Sequence, residues 1–284
     1  MRIDRPFPAT PIGRNQQLVV LGLLILPCWV LQYQLGDLRL RPGAFFFGFM
    51  AAFSVYLGAL WVVRSFHREH SWWLVGWVLG VAAVVRLLML GADPQLSTDA
   101  YRYRWDGRVQ AAGVDPYAYA PADPRLGYLR DSRDARINFP ALRTVYPPAA
   151  QAFFRVGVSI HPERIGQKIM FVIAEGILIA ALLLLLIRRQ MNPLWIIAYA
   201  WHPLPILEIA GSGHNDVLAA AWLWVGLSAW QARRYLGASL AWALALLSKY
   251  ASVLLVPWWI CRGESRRWLA VFVLVAALPF ALNP

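Results

Sequence analysis

Two carboxylates open the chemical reading. Asp99 and Asp106 stand seven residues apart in the run STDAYRYRWDGRVQAA, residues 97–112. The run reads as a helix: Ser97 or Thr98 is a suitable N-cap, Asp99 falls in the first turn, and Gly113 follows as a stop. Seven helical residues separate the two acids by about 10 Å along the axis. In a straight helix they cannot share a proton or a metal, which excludes the paired carboxyls of a glycosidase, set about 5–9 Å apart. Helical spacing puts Tyr101, Trp105, Arg108 and Val109 near one face and Asp99, Arg102, Tyr103, Asp106 and Gln110 near another. Asp106 reads as the i,i+4 ion-pair partner of Arg102. Asp99 has two readings: a partner for the positive helix terminus, or a proton acceptor where an apolar run ends.

A second group lies downstream. Gly211-Ser212-Gly213-His214-Asn215-Asp216 precedes an apolar run. Glycines ahead of a helix leave backbone N–H groups free, and such a nest binds phosphate. The plainer reading makes Asn215 or Asp216 an N-cap and His214 a hydrogen-bonded interfacial histidine. Lys249, in Leu247-Ser248-Lys249-Tyr250, is either a snorkelling lysine or a cation for that phosphate. Tyr146-Pro147-Pro148 starts a short helix. Its Phe153, Phe154 and Val158, flanked by Arg155 and Arg164, suit a helix lying in a bilayer interface. Arg86, Glu175 and Lys168 are isolated ionisable residues in apolar surroundings. Arg86 and Glu175 read as structural, paired with each other or Glu175 with Lys168.

These residues need elements to hold them, and the composition says what kind. Charged residues make up 15% of the chain and hydrophobic ones 59%, against about 25% charged in a soluble protein. Too little polar surface is available for a water-soluble globule, and disorder is excluded. Cys28 and Cys261 are the only cysteines, so there is no disulfide framework and no zinc spacing. Apolar runs recur at roughly 16–36, 43–63, 72–91, 166–187, 193–209, 217–230, 236–247, 251–261 and 268–284. The first is too long for a cleavable signal and lacks a small-residue cleavage site. A full helical crossing takes about 20 residues. The run 193–209 is marginal, and 217–230, 236–247 and 251–261 are short. Short runs ending in polar residues read as broken helices lining a cavity.

The excess positive charge, +12, sets orientation. With the N-terminus inside, twelve basic residues fall in inner loops: Arg2, Arg5, Arg14, Arg64, Arg68, Arg188, Arg189, Arg233, Arg234, Arg262, Arg266 and Arg267. Only Arg39, Arg41 and Lys249 fall in short outer loops. The basicity is thus a topology signal and calls for no nucleic acid. Residues 92–165 form one long outer loop with ten arginines and eight acids. A structureless loop of that size is unusual, so this one is expected to fold and carry function. Three segments follow: 1–91 with three spans, the 92–165 outer loop, and 166–284 with short broken helices. Two lysines against 25 arginines, with many alanines, point to a GC-rich bacterial genome. The chain ends at Pro284 in an apolar run: either the last helix stops at the outer surface or the protein continues.

The run Ser97 to Val109 followed by Gly113-Val114-Asp115-Pro116-Tyr117 resembles the first outer loop of polyprenyl-phosphate-mannose-dependent glycosyltransferases of the GT-C superfamily, near glycosyltransferase family 87 and the bacterial mannosyltransferases. Tyr146-Pro147-Pro148, GSGHND at 211–216 and LSKY at 247–250 look like later landmarks of the same group, over about residues 72–262. The resemblance implies an all-α polytopic membrane fold of about nine full or partial helices. It implies sugar transfer, mannose first, from a polyprenyl-phosphate donor to a glycan or glycolipid at the outer face of a bacterial plasma membrane. An outer-loop acid is the base in that group, and Asp99 matches its position. Arg102, Tyr103, Asp106, Arg108, Tyr146, Lys168, His214, Asn215, Asp216 and Lys249 are then the substrate-binding candidates. No cofactor is expected, and a divalent metal is left open. Two spans precede the span leading to that loop where many relatives have one, and C-terminal spans of relatives are expected to be absent. The rival readings are a lipid or solute transporter and an inactive envelope scaffold. A transporter calls for polar groups on both faces and for paired repeats; the polar groups cluster on one side, and no repeat is visible.

Overall fold

The computed structural model describes residues 13–66, 71–93, 96–254 and 266–282. Most of the expected run 251–261, together with Arg2, Arg5, Arg68, Arg262, Cys261 and Pro284, lies outside the described residues. The fold is all-α, with no strand among the described residues. Among the described residues four helices are long and apolar enough to cross a membrane: α1 (Arg14–Gln34), α2 (Pro42–Arg64), α3 (Trp72–Leu90) and, after the loop, α6 (Arg164–Arg188). Their outer faces expose large apolar side chains, Phe47 and Trp61 at 74% and 73% among them. Such surface is stable against lipid, not water.

The helix ends sort into two sides. Arg14 of α1 donates to the Ser65 carbonyl after α2 at 2.6 Å, and Asn192 beyond α6 donates to Phe66 at 2.8 Å. Arg188 of α6 reaches the Ser228 carbonyl at 2.9 Å. This is the arginine-rich end of the bundle. Residues 96–165 fold over the opposite end.

The marginal run 193–209 is one broken segment extending to Ser212. A 3₁₀ turn (Pro193–Ile196) leads into one α turn (Ile197–Ala200). A break at His202 follows, then Pro203–Pro205 and a π-helical stretch (Ile206–Ser212). Pro203 has no N–H, so it ends the ladder. Side chains take the polar groups left over: Tyr56 of α2 donates to the Ala198 carbonyl at 2.9 Å, and Arg86 of α3 donates to the Ala200 carbonyl at 2.8 Å. Arg86 is held in turn by Glu175 of α6, with both guanidinium contacts at 2.7–2.8 Å and side-chain exposures of 5% and 0%. The two isolated ionisable residues therefore pair with each other, and Glu175 does not face Lys168.

The runs 217–230 and 236–247 form α7 (Asp216–Gln231) and α8 (Tyr235–Ser248), and α9 (Arg266–Leu282) closes the chain. Ser239 of α8 donates to the Trp268 carbonyl of α9 at 3.1 Å.

Two helices of the loop carry the site. The first, α4 (Asp99–Ala111), matches the sequence reading, and the second, α5, spans Pro148–Ile160. The aromatic face of α4 packs Tyr101, Trp105 and Val109 on Leu126 and Ile137 of the loop. On helix α5 one of the residues expected at a bilayer interface, Phe154, turns into the protein instead. Phe154 is fully buried against Tyr103 of α4 and Phe171 of α6, with ring centroids 4.6 and 6.5 Å away. Glycines allow this approach. A Cβ on Gly107 of α4 would strike the Phe154 carbonyl oxygen, and one on Gly166 of α6 would strike the carbonyls of Gly157 and His161. Backbone thus meets backbone where α4, α5 and α6 cross. Gly107→Ala is expected to destabilise the fold by about 1–3 kcal/mol through overpacking. Gly76→Ala, where an added Cβ meets nothing within 4 Å, is the control. Unfolding midpoints in detergent, lower for the first variant and unchanged or higher for the second, check this.

Candidate active site

Asp99 begins α4, eight residues beyond the C-cap Gly91 of α3. Its amide donates to the Ser97 hydroxyl at 3.1 Å, and Thr98 is the N-cap by position without a side-chain cap bond. One carboxylate oxygen, Oδ1, accepts from Asn138 Nδ2 at 2.6 Å. The other, Oδ2, lies 4.0 Å from His214 Nε2. The Asp99 side chain is 30% exposed. One oxygen is therefore fixed, and the other is open to a reactant.

His214 follows the π-helical stretch. Gly213 adopts φ +78°, a left-handed conformation that closes the segment. The amides of Gly213 and His214 donate to the Ile209 and Glu208 carbonyls at 3.1 and 2.9 Å. The expected open phosphate nest is therefore not formed there: the turn uses those donors itself. The turn does bring His214 Nδ1 to 2.5 Å from Glu208 Oε2. Burial lowers the affinity of the imidazole for a proton, but Glu208, Asp99 and Asp216 outweigh it, and the net shift is upward.

A cavity of about 290 Å³ lies beside this cluster, lined by Val145, Tyr146, Pro147, Asn215, Ser248, Lys249 and Tyr250. Tyr103 borders it: its hydroxyl lies 3.5 Å from Asn215 Oδ1, and its ring meets Tyr146 edge-on at 5.0 Å. Burial and then neighbouring charges, Asp99 among them, raise the proton affinity of both phenols, Tyr146 to about 12. Both remain hydrogen-bond donors at neutral pH. Lys249 is bonded to Asp216, and both side chains are well exposed. Such a pair is weak in water and open to exchange for a better anion.

A larger cavity, about 330 Å³, is bordered by Leu90–Ala92, Arg133, His161, Glu163, Arg164, Ile165 and Lys168. Arg133 pairs with Glu163 at 2.6 Å and Arg164 pairs with Asp93. Of the sequence candidates this cavity holds Lys168 alone, so the smaller one is the better candidate.

The structure thus gathers Asp99, Tyr103, Tyr146, His214, Asn215, Asp216 and Lys249. Four other candidates are held in the frame by protein groups. Lys168 is fully buried and donates to the carbonyls of Met89, Leu90 and Ala92 at 2.7–3.0 Å. Arg102 pairs with Asp106 at 2.9 Å, as the i,i+4 spacing implied. Asp106 also accepts from Thr144 at 2.6 Å and from Gln151 at 2.9 Å. Arg108, with Arg104, binds Asp131 and Asp134. Burial pushes the Asp106 carboxyl above its ordinary range, against the pull of Arg102, Thr144 and Gln151. Sequence reading missed two residues. Glu208 is an ionisable residue in an apolar run, the same signal that marked Arg86 and Glu175. Asn138 carries no comparable signal.

Fold and site place the chain among polytopic all-α membrane proteins with an acid–base cluster at one end of the bundle. A family model described as alpha-(1->6)-mannopyranosyltransferase, N-terminal domain, matches residues 35–262. The chain belongs to that family and is a membrane glycosyltransferase. The matched range includes every candidate site residue. No curated protein and no solved structure matches the chain.

The two acids of α4 are expected to separate in a stability assay. Asp106→Ala leaves Arg102 buried without its carboxylate, which costs about 3–5 kcal/mol for a buried pair. Asp99→Asn at a partly exposed position leaves stability nearly unchanged. Thermal unfolding of the two purified variants beside wild type measures the difference; equal losses would contradict this division.

Proposed function

We propose that the chain transfers mannose from a polyprenyl-phosphate donor to a hydroxyl of a glycan or glycolipid at the outer face of a bacterial plasma membrane, with Asp99 as base. The observation that carries this reading is the open Asp99 oxygen 4.0 Å from His214, whose chain neighbour Asn215 lines a cavity bearing Lys249. A lipid phosphate reaching that cavity from the bilayer exchanges for Asp216 on Lys249, a charge-assisted contact. Asn215 and the phenols of Tyr146 and Tyr103 supply neutral donors and acceptors for the phosphate and the sugar. The acceptor oxygen attacks the anomeric carbon while Asp99 takes its proton, and the lipid phosphate leaves with the bonding electrons. A single displacement inverts the centre. An α-linked product, as the family description states, then requires a donor β-linked at that carbon. Arg102, Asp106, Arg108 and Lys168 act by holding α4 and the end of α3 in place.

Asp99→Asn is expected to cost about 10²–10⁴-fold in kcat, the usual range for a lost general base, with folding intact. Lys249→Ala should raise the donor KM and leave the acceptor KM near wild type, as removing one charge-assisted contact costs about 1.5–3 kcal/mol. Transfer of labelled mannose from a synthetic β-polyprenyl-phosphate donor, in membranes with matched protein levels, measures both. An active Asp99→Asn enzyme would move the base elsewhere.

The outer-face assignment has its own check. In a background lacking Cys28 and Cys261, a membrane-impermeant thiol reagent should label a cysteine placed at Ala122 in intact cells and miss one placed at Gln190. The reverse pattern would invert the topology.

A further inference from the structure

Glu208 has no part in the reaction as described so far, yet the chain is distorted around it. In a regular α-helix Glu208 and His214 would point about 120° apart and lie about 9 Å apart along the axis. The π-helical stretch Ile206–Ser212 and the left-handed Gly213 remove that separation. The His214 amide closes onto the Glu208 carbonyl at 2.9 Å, and the imidazole folds back over the Glu208 carboxylate. Single π turns inside helices recur at functional positions. The result is an imidazole with a carboxylate at each ring nitrogen: Glu208 Oε2 at 2.5 Å from Nδ1, and Asp99 Oδ2 at 4.0 Å from Nε2.

We propose that Glu208 is a positioning residue that holds His214 as its Nδ1–H tautomer with Nε2 turned to Asp99, so that the acceptor's proton passes from Asp99 to His214. The inference rests on the transfer reading above. The balance is simple. The acceptor O–H bond breaks as the oxygen bonds to the anomeric carbon, and the bond from that carbon to the phosphate oxygen breaks with its electrons leaving on the lipid phosphate. The proton moves to Asp99 Oδ2, then to His214 Nε2, and finally to bulk water. One bridging water or a small rotation spans the 4.0 Å gap. Carboxylic acids hold a proton loosely at neutral pH. A more basic second station keeps it from returning to the acceptor oxygen, and it puts positive charge beside the departing phosphate.

The groups around the imidazole are accounted for. Glu208 is on its own segment, Asp99 on α4, and Asp216 at the start of α7, where it is paired with Lys249. Lys168 of α6 packs its stem against Gly213 but sends its ammonium to the carbonyls ending α3. Burial lowers the proton affinity of His214, and the bond to Glu208 with the charges of Glu208, Asp99 and Asp216 raises it, for a net upward shift. Neutral His214 is the accepting form, so kcat should rise with pH through its elevated midpoint.

The test uses the full chain in lipid nanodiscs with ¹⁵N-labelled histidine, His214→Gln assigning the resonance among five histidines. Wild-type His214 should be the Nδ1–H tautomer when neutral. Glu208→Gln should lower its titration midpoint by about one unit or more, as expected for losing an adjacent opposite charge. Glu208→Asp, which keeps the charge, should fall between the two. In the transfer assay Glu208→Gln should shift the acid limb of the kcat profile to lower pH by the same amount. It should also lower the plateau at least about tenfold, as when an imidazole loses the carboxylate that fixes its tautomer, with donor and acceptor KM near wild type. An unchanged midpoint and tautomer would overturn the positioning role. A shifted midpoint with an unchanged kcat profile would overturn the relay. A wild-type chain with no transfer from any polyprenyl-phosphate donor would overturn the transfer reading and the relay with it, while the resonance titration still decides the Glu208–His214 pairing.

Discussion

The buried pair of Arg86 and Glu175 is the constraint on which the remaining geometry depends. It joins α3 to α6, and through the Ala200 carbonyl it joins both to the broken segment. All three elements run on into the site. Helix α3 leads to Asp99, α6 carries Lys168, and the broken segment ends at His214. In a membrane an unpaired guanidinium or carboxylate is untenable, and an unsatisfied carbonyl costs several kcal/mol. Arg86 answers both demands at once, since it neutralises Glu175 and satisfies the Ala200 carbonyl, whose helical donor, the Leu204 amide, turns instead to His202 Nδ1. Lys168 repeats the device nearer the loop. It caps three carbonyls at the end of α3, and its stem supports Gly213. The ionisable residues buried among the helices therefore fix the spacing between the segment bearing Asp99 and the segment bearing His214.

The same physics separates two acids of one helix. Asp106 is surrounded by Arg102, Thr144 and Gln151, with nine-tenths or more of its surface covered. Every oxygen is committed, so it can accept nothing new without breaking the packing of α4 on α5. Asp99 has one committed oxygen and one open. Position in the helix explains the contrast. At the first residue of α4 the backbone has just left the loop, and the side chain stays 30% exposed between Asn138 and His214. At the eighth it points into the crossing with α5, where Gly107 brings the chains together.

Much of this was legible in the sequence. The long apolar runs gave α1, α2, α3 and α6, because period and length suffice when lipid is the solvent. The cap and stop residues around 97–113 gave α4 within two residues, and the Arg102–Asp106 pair follows from helical spacing alone. The fate of the arginines in the loop was not legible. Arg104 and Arg108 meet Asp131 and Asp134 across more than twenty residues of irregular chain, and no local pattern encodes that closure. Lys168 misled for a related reason: a lone lysine in an apolar helix resembles a ligand for a lipid phosphate, whereas backbone carbonyls ending a neighbouring helix attract it equally well. The glycines of GSGHND were rightly marked as unusual, but their effect is a closed turn that orients His214, not an open nest.

The break in the 193–212 segment explains why polar chemistry appears at this end of the bundle at all. A continuous helix of twenty residues would span about 30 Å with every backbone group satisfied within itself. It would present side chains to the outer surface in a fixed spiral. Two prolines and a π-helical stretch exchange that regularity for a turn in which a glutamate and a histidine six residues apart touch. The exchange is stable only because Tyr56 and Arg86 take up carbonyls the break releases. The structural pair in the membrane and the acid–imidazole pair at its surface are thus two ends of one distortion, and changing the first should misplace the second without touching it.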